Sequence, residues 1–507
     1  MAKTRRITQL LFLLFFIFLF LKARYPYSDS LSSDLLLRFS PLIPIFEFIN
    51  ELRINWLYWP ALIILFLTIF LGRFFCGWIC PLGTSLDIAD KVLSPPSNKI
   101  SAKFDRLRYA KFIILLVSII LAFFSLNLWS YFDPLALFNR ALTVTLYPFV
   151  TLLTESALLQ ASQISFLEGF YDSFKTFVMP EDQAYLQQVF WISLFFAGII
   201  AAEKLSKRFW CRYLCPAGAW LGLLSQFRLY ERTVAASCPD CNNCQVECKM
   251  QAIPDDDVAQ TSKIECIECY NCGALCPPKT KAITYQWRWK PYRTKVDFSR
   301  RQFLSSTAAS IAALGLLSIG LKNRNDNEFL IRPPGALPEQ DFLNRCIRCL
   351  ACVRICSSNG RCLQPAGIHN NVLELWAPVA VMRTGYCEYN CNLCALVCPT
   401  QAILPLSLDQ KKQTPIGLAY FDKNLCIPFV QNKDCIVCEE HCPTPDKAIK
   451  FESKTVLLPD GSQKTVKYPY VIRELCIGCG ICEEKCPLIG APGIFVNTDN
   501  QVRLTKV

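Results

Sequence analysis

The chain has 507 residues, with 29 cysteines, two histidines, a formal charge of +12 and 52% hydrophobic residues. That length allows three or more domains at ~100–200 residues each, and an odd number of cysteines excludes a disulfide framework that uses every thiol. The histidines, His369 and His441, lie outside every apolar run, which argues against a b-type haem held by helix histidines, and the basic residues flank the apolar runs instead of forming one face, which argues against nucleic acid as a partner.

In chain order, five segments read as transmembrane helices of ~20 mostly apolar residues: 7–21, 54–72, 112–129, 185–202 and 303–321. The first is short, and Lys22 and Arg24 can snorkel at its end. Lys3, Arg5 and Arg6 place the N-terminus in the cytoplasm by the positive-inside rule. Arg73, Lys91, Lys99, Lys103, Arg106, Arg108 and Lys111 follow the second span and are cytoplasmic on the same ground. The loop from 130 to 184 holds only Arg140 and Lys175 and reads as external, and Lys204, Lys207, Arg208 and Arg212 bring the chain back inside. A basic stretch from Arg288 to Arg301 precedes the fifth span, which exits. The moderately apolar segment 136–154 carries Arg140 and Pro148 and would break this parity, so it reads as an interfacial or re-entrant helix on the outer side.

An internal repeat follows the second and fourth spans. It runs Arg73-Phe74-Phe75-Cys76-x3-Cys80-Pro81-Leu82-Gly83 and Arg208-Phe209-Trp210-Cys211-x3-Cys215-Pro216-Ala217-Gly218. On a helix, cysteines four apart share a face, and pseudo-twofold pairing of the copies would gather four thiols. Four thiols suit a cluster or a tetrahedral metal; two reduced thiol pairs stabilising tight turns are the plainer alternative. The species at this membrane redox or metal site stays open.

The run C-x2-C-x2-C-x3-C comes next, as Cys238, Cys241, Cys244, Cys248 and then Cys266, Cys269, Cys272, Cys276-Pro277. Three thiolates at i, i+3 and i+6 wrap one corner of a [4Fe–4S] cubane, and the fourth reaches the neighbouring cluster in two-cluster ferredoxins. This predicts Cys238, Cys241, Cys244 and Cys276 around one cluster and Cys266, Cys269, Cys272 and Cys248 around the other. Lys249 stands where the first motif should have proline. Structural zinc prefers two well-separated cysteine pairs and fits less well. Ser299-Arg300-Arg301-Gln302-Phe303-Leu304 then places a twin arginine ahead of an apolar stretch, a Tat export signal.

Four more motifs follow: Cys346, Cys349, Cys352, Cys356; Cys387, Cys391, Cys394, Cys398; Cys426, Cys435, Cys438, Cys442; and Cys476, Cys479, Cys482, Cys486. The second has three residues in its first gap and the third has eight, so only the first ligand moves. Spacing leaves open which fourth cysteine serves which cluster. Cys362 is left over and reads as an inert cysteine near the first of these clusters, with a substitute ligand as the alternative. His441, beside Cys442, reads as a solvent-facing hydrogen-bond donor.

Residues 54–285, with paired C-x3-C-P repeats and a two-cluster module, resemble the membrane ferredoxins of the NapH, MauN and NosR type. Residues 299–507, with the twin arginine, Arg332-Pro333-Pro334-Gly335-Ala336-Leu337 and four motifs, resemble the periplasmic ferredoxins of the NapG and MauM type. The chain thus resembles a fusion of the two. The resemblance implies an α-helical membrane domain (1–231), an α+β bacterial-ferredoxin-like cytoplasmic module (232–290), a signal and fifth helix (291–325) and a periplasmic four-cluster module (326–507). It implies a multi-pass inner-membrane protein with six [4Fe–4S] clusters, acting as a quinol dehydrogenase-like conduit from the quinone pool to a periplasmic reductase or cytochrome. From related four-cluster subunits it also implies crossed pairing, with Cys346, Cys349 and Cys352 joined by Cys486, and Cys387, Cys391 and Cys394 joined by Cys442. Two other functions stay open: a maturation or regulatory protein whose membrane cysteines reduce or hold a metal, and a conduit running toward quinone. No nucleotide loop, flavin fingerprint or paired-carboxylate site is present in the sequence.

Overall fold

A computed structural model describes residues 2–27, 31–52, 55–93, 107–161, 185–277, 282–288, 329–368, 372–457 and 461–504, with 307–308, 311–312 and 315. The twin-arginine sequence, most of the fifth expected span and His369 lie outside the described residues. The chain divides into two compact units, Met1–Phe20 with Ser33–Thr145 and Phe190–Ser318, and Leu21–Ser32 with Leu146–Val189 and Ile319–Val507.

The helical part runs α1 (Ala2–Lys22), α2 (Ile43–Glu51), α3 (Trp59–Leu71), α4 (Phe74–Trp78), α5 (Pro81–Leu93), α6 (Ala110–Phe123), α7 (Pro134–Ala141), α8 (Tyr147–Ala161), α9 (Val189–Ala201) and α10 (Pro216–Leu224). The starts and stops follow local chemistry. Pro60, Pro134 and Pro216 sit in the first turn of their helices, where a missing N–H costs nothing. Asp133 caps α7, its carboxylate accepting from the Leu135 and Ala136 N–H groups. Gly72, at φ +73°, ends α3.

Helix length does not carry the five-span expectation. Among the described residues, two helices are long and apolar enough to cross a membrane, Ala2–Lys22 and Pro134–Thr154, of 21 residues each. The expected second, third and fourth spans form α3, α6 and α9, of 13, 14 and 13 residues; at 1.5 Å per residue each reaches only about 20 Å, against the ~30 Å of a hydrocarbon core. The segment 136–154, set aside for its Arg140 and Pro148, belongs to the second of the long helices. Local structure answers both objections. A wider π turn at Leu142–Leu146 relaxes the helix ahead of Pro148, and Arg140 is buried, donating to the Tyr131 carbonyl at 3.3 Å.

Both units carry ferredoxin-type α+β folding. In the first, β1 (Tyr230–Val234) precedes the first cysteine motif and pairs antiparallel with β2 (Ile283–Trp287), which follows the second. In the second, β3 (Leu363–Pro365) pairs with β4 (Pro378–Ala380), β5 (Leu418–Phe421) with β8 (Ile494–Asn497), and β6 (Ile449–Leu457) with β7 (Gln463–Val471), all antiparallel. The β1–β2 and β5–β8 pairs close the chain around two motifs each, so fourth cysteines swing back onto a neighbouring loop.

Candidate metal centres

The regular motifs share one backbone device. In each C-x2-C-x2-C loop the residue before the second cysteine and the residue after it both take left-handed φ: Asp240 and Asn242, Glu268 and Tyr270, Arg348 and Leu350, Gly478 and Gly480. For a non-glycine residue that conformation costs about 1–2 kcal/mol, but it turns successive N–H groups inward, the nest that binds an anion. The motifs with the longer first gaps lack it: Asn392 and Ile436 sit at φ −129° and −119°. Backbone N–H groups also donate to sulfur at Cys248 (from Ala252, 3.2 Å), Cys476 (from Ala419, 3.5 Å) and Cys486 (from Gly493, 3.3 Å).

Among the described residues, thiols line four cavities. Among the described residues no three ligating side chains converge closely enough for a single metal ion. A void edged by sulfur suits a multi-iron cubane better than zinc, which draws four thiolates to ~2.3 Å of one point. In the first unit one cavity brings Cys248 to Cys266, Cys269 and Cys272.

In the second unit the crossed pairing implied by resemblance is not what the structure shows. One cavity joins Cys346, Cys349 and Cys352 to Cys398. A second joins Cys387, Cys391 and Cys394 to Cys356, with Cys362 also on its wall. A third joins Cys476, Cys479 and Cys482 to Cys442. A Cβ on Gly493, whose N–H donates to Cys486, would lie 2.7 Å from the Cys426 Cα, which places Cys486 with the third motif. Consecutive motifs therefore exchange their fourth cysteines. The cause is chain geometry: the short helix Ala351–Cys356 packs on Leu393–Leu396, and Val437–Glu440 packs on Ile481–Glu484. The two pairs touch where the Cys387 N–H donates to the Cys479 carbonyl at 2.8 Å. Cys362 faces the second motif's cavity, not the first's. His441 is exposed and its Nδ1 lies 2.9 Å from the Val437 carbonyl.

The repeats of the first unit bring their four cysteines together. Cys76, Cys80, Cys211 and Cys215 are all buried. Burial, with the Arg208 and Arg73 charges working against it, pushes the Cys211 thiol up to about 12; Cys80 and Cys215 are raised by burial and by the neighbouring thiols. A metal centre here must displace those protons. Two fully buried arginines answer the charge, each reaching across to the other repeat. Arg208 donates to the Cys76 carbonyl at 2.8 Å and the Gly83 carbonyl at 3.0 Å. Arg73 lies where a Cβ on Gly218 would come within 2.7 Å of Nη2. Gly218 is therefore a glycine because the partner repeat's guanidinium occupies the space of a side chain, and Gly83 because a Cβ there would lie 2.9 Å from the Cys76 carbonyl oxygen.

Sequence reasoning missed what holds these parts together. Asp87 accepts from Arg208, Arg5, Gln9 and Lys249. Burial raises its carboxyl, but the Arg208 and Lys249 charges outweigh that and hold it well below the usual carboxylate range. Lys249, odd after Cys248 in a ferredoxin motif, is explained by this contact. The loop Ile264–Glu268, which carries Cys266, sits on the first repeat and on α6: Arg73 donates to the Ile264 carbonyl at 2.7 Å, Trp78 to the Glu268 carbonyl at 2.9 Å, and Lys111 to Glu265 at 2.6 Å. A Cβ on Gly77 would lie 2.2 Å from the Ile267 carbonyl oxygen. The Gly77→Ala exchange is thus expected to push this loop off the repeat and destabilise the unit by about 1–3 kcal/mol while every cysteine remains. Iron content and thermal inactivation of the purified variant check it.

A family model described as a 4Fe-4S binding domain matches residues 52–100 and 188–230, the two repeats, and a second of the same description matches 469–488. The chain is 32% identical over 197 residues to the methylamine utilization ferredoxin-type protein MauM of Methylorubrum extorquens, covering 38% of this chain and 85% of that protein. It is 34% identical over 205 residues to the ferredoxin-type protein NapG of Escherichia coli, covering 38% and 84%. An uncharacterized protein of Methanocaldococcus jannaschii is 25% identical over 294 residues, covering 56% and 96%. No solved structure matches the chain.

Proposed function

The chain belongs to the ferredoxin-type proteins of the MauM and NapG kind, and from that premise we propose that it is a membrane-bound iron–sulfur electron conduit, quinol dehydrogenase-like, feeding an extracytoplasmic redox partner. In this reading six [4Fe–4S] clusters are held by Cys238, Cys241, Cys244 and Cys276; Cys248, Cys266, Cys269 and Cys272; Cys346, Cys349, Cys352 and Cys398; Cys356, Cys387, Cys391 and Cys394; Cys426, Cys435, Cys438 and Cys486; and Cys442, Cys476, Cys479 and Cys482. A further centre lies between Cys76, Cys80, Cys211 and Cys215, and the 4Fe-4S family model over both repeats supports a redox centre there above a metal-holding one. Bound clusters supply one-electron transfer; the polypeptide sets spacing and potential. Thiolates hold the iron, inward N–H groups and the Arg73 and Arg208 guanidinium groups offset negative charge, and the interlocking loops keep neighbouring sites at fixed separation. The observation that carries the reading is the Cys266 loop seated on the first repeat, where it packs on Gly77 and Trp78 directly after Cys76.

The proposed topology keeps the N-terminus and the first module in the cytoplasm and the second module outside, with quinol as electron donor in the membrane. Besides the basic residues, chain grouping supports it. Residues 21–32, which follow α1, and 146–189, which precede α9, both belong with the C-terminal module. Within that unit the Tyr25 N–H donates to the Ser358 hydroxyl at 2.8 Å, the Gln187 N–H donates to the Gln364 side chain at 3.0 Å, and Arg354 lies 4.0 Å over the Tyr147 ring. Anaerobically purified protein should hold about 24 iron atoms in the six sites, four per cubane, plus any between the repeats. In proteoliposomes, membrane quinol should reduce the second module's clusters. Iron near eight per chain with stoichiometric zinc sinks the cluster count, and reduction by a soluble reductant but never by quinol sinks the conduit. A reporter at the C-terminus should be external, and lysine at both Arg300 and Arg301 should block its export.

A further inference from the structure

One candidate cluster cavity has a cysteine too many. Its wall holds Cys387, Cys391 and Cys394 from one motif, and both Cys356 and Cys362 from the segment before it. The two extra sulfurs lie 3.9 Å apart, so either sits within a small side-chain movement of the same corner. A cubane needs four thiolates; here five face it.

Cys362 is not a loose neighbour. It is 2% exposed, its carbonyl accepts from the Val381 N–H at 2.8 Å, and it directly precedes β3. The chain on either side of it is locked to the motif that it faces: the Tyr386 N–H donates to the Gly360 carbonyl at 2.8 Å, and a Cβ on Gly385 would lie 2.9 Å from the Cys362 nitrogen. Cys356 ends the helix Ala351–Cys356, and its carbonyl accepts from the Arg361 N–H at 2.9 Å. One turn of chain therefore holds both sulfurs in contact on the same side of the cavity. Ser357 stands where Pro277, Pro399, Pro443 and Pro487 follow the fourth cysteine of other motifs, so the ring that elsewhere restrains the turn is missing.

We propose that Cys362 is a reserve ligand: the cluster held by Cys387, Cys391 and Cys394 takes its fourth thiolate from either Cys356 or Cys362. The proposal rests on the reading of this cavity as a [4Fe–4S] site. In the exchange the iron–sulfur bond to Cys356 breaks as the bond to Cys362 forms, and the Cys362 thiol proton passes to the Cys356 sulfur. Iron and cluster charge are unchanged, and no oxidant or reductant takes part. The consequence is a site that keeps its fourth iron when Cys356 is displaced or modified.

The test uses the full chain, purified anaerobically, as Cys356→Ala, Cys362→Ala, the double variant and Cys394→Ala. Alanine is used because a serine oxygen can itself take iron. Iron content is read with EPR of the oxidised and reduced states, and the signals of the other clusters serve as the fold control. The expected result is full iron in both single variants, a shifted reduced-state signal in Cys356→Ala, and in the double variant either a loss of about four irons or a new three-iron signal. Cys356→Ala behaving like the double variant overturns the reserve role, as does a double variant that keeps its cluster. Cys394→Ala has no substitute and should lose the cluster outright. If it does not, the cavity holds no such cluster, and the proposal falls with that reading rather than by itself.

Discussion

Any one of the exchanges Cys76→Ala, Cys80→Ala, Cys211→Ala and Cys215→Ala is expected to remove nearly all of the redox signal of the proposed centre between the repeats, and the quadruple variant to cost little more. The four thiols are all buried, and the proposal makes them one ligand set, in which losses are strongly non-additive. The six ferredoxin-type sites should keep their iron, because their cysteines lie on other loops. Quinol-driven reduction of the second module should then fail, while a soluble reductant still reduces it. Unaltered quinol-driven rates in the quadruple variant would show that the repeats are structural and that electrons enter elsewhere.

Asp87→Asn is expected to be the most damaging change that removes no cysteine. Its carboxylate is the shared acceptor for Arg5, Arg208 and Lys249, and its side chain is 10% exposed. Deleting one partner of a buried ion pair leaves charge uncompensated and typically costs about 3–5 kcal/mol. Arg208 also holds the Cys76 and Gly83 carbonyls, so the loss should spread to the four-thiol site as lowered iron content and faster thermal inactivation. The pH dependence has a definite sign. The folded carboxyl is held below its unfolded value, near ~3.9, so its contribution is fully present above that value and is lost as pH falls toward the folded pKa. The variant should lack this acid-side fall. Asn at position 87 with wild-type stability and iron content would refute the hub role.

The cysteine spacing by itself declares the chemistry. C-x2-C-x2-C-x3-C runs and C-x3-C-P repeats are local patterns, and a local pattern survives translation into any fold that brings a thiol loop to a cluster. The relationship to MauM and NapG rests on the same text.

Tertiary structure decided the rest. Which fourth cysteine closes which cavity depends on which loops pack together, and packing paired consecutive motifs where related subunits had implied a crossed order. Span length escaped hydropathy because apolar runs of suitable length fold into helices of 13 or 14 residues with turns at their ends, whereas a run with an arginine and a proline stays helical once a π turn and a carbonyl satisfy them. Gly77 and Gly218 look like ordinary turn residues until a carbonyl or guanidinium arrives from a distant part of the chain. Asp87 was invisible for the same reason: its four partners come from α1, the second repeat and the ferredoxin module, and only folding makes them neighbours.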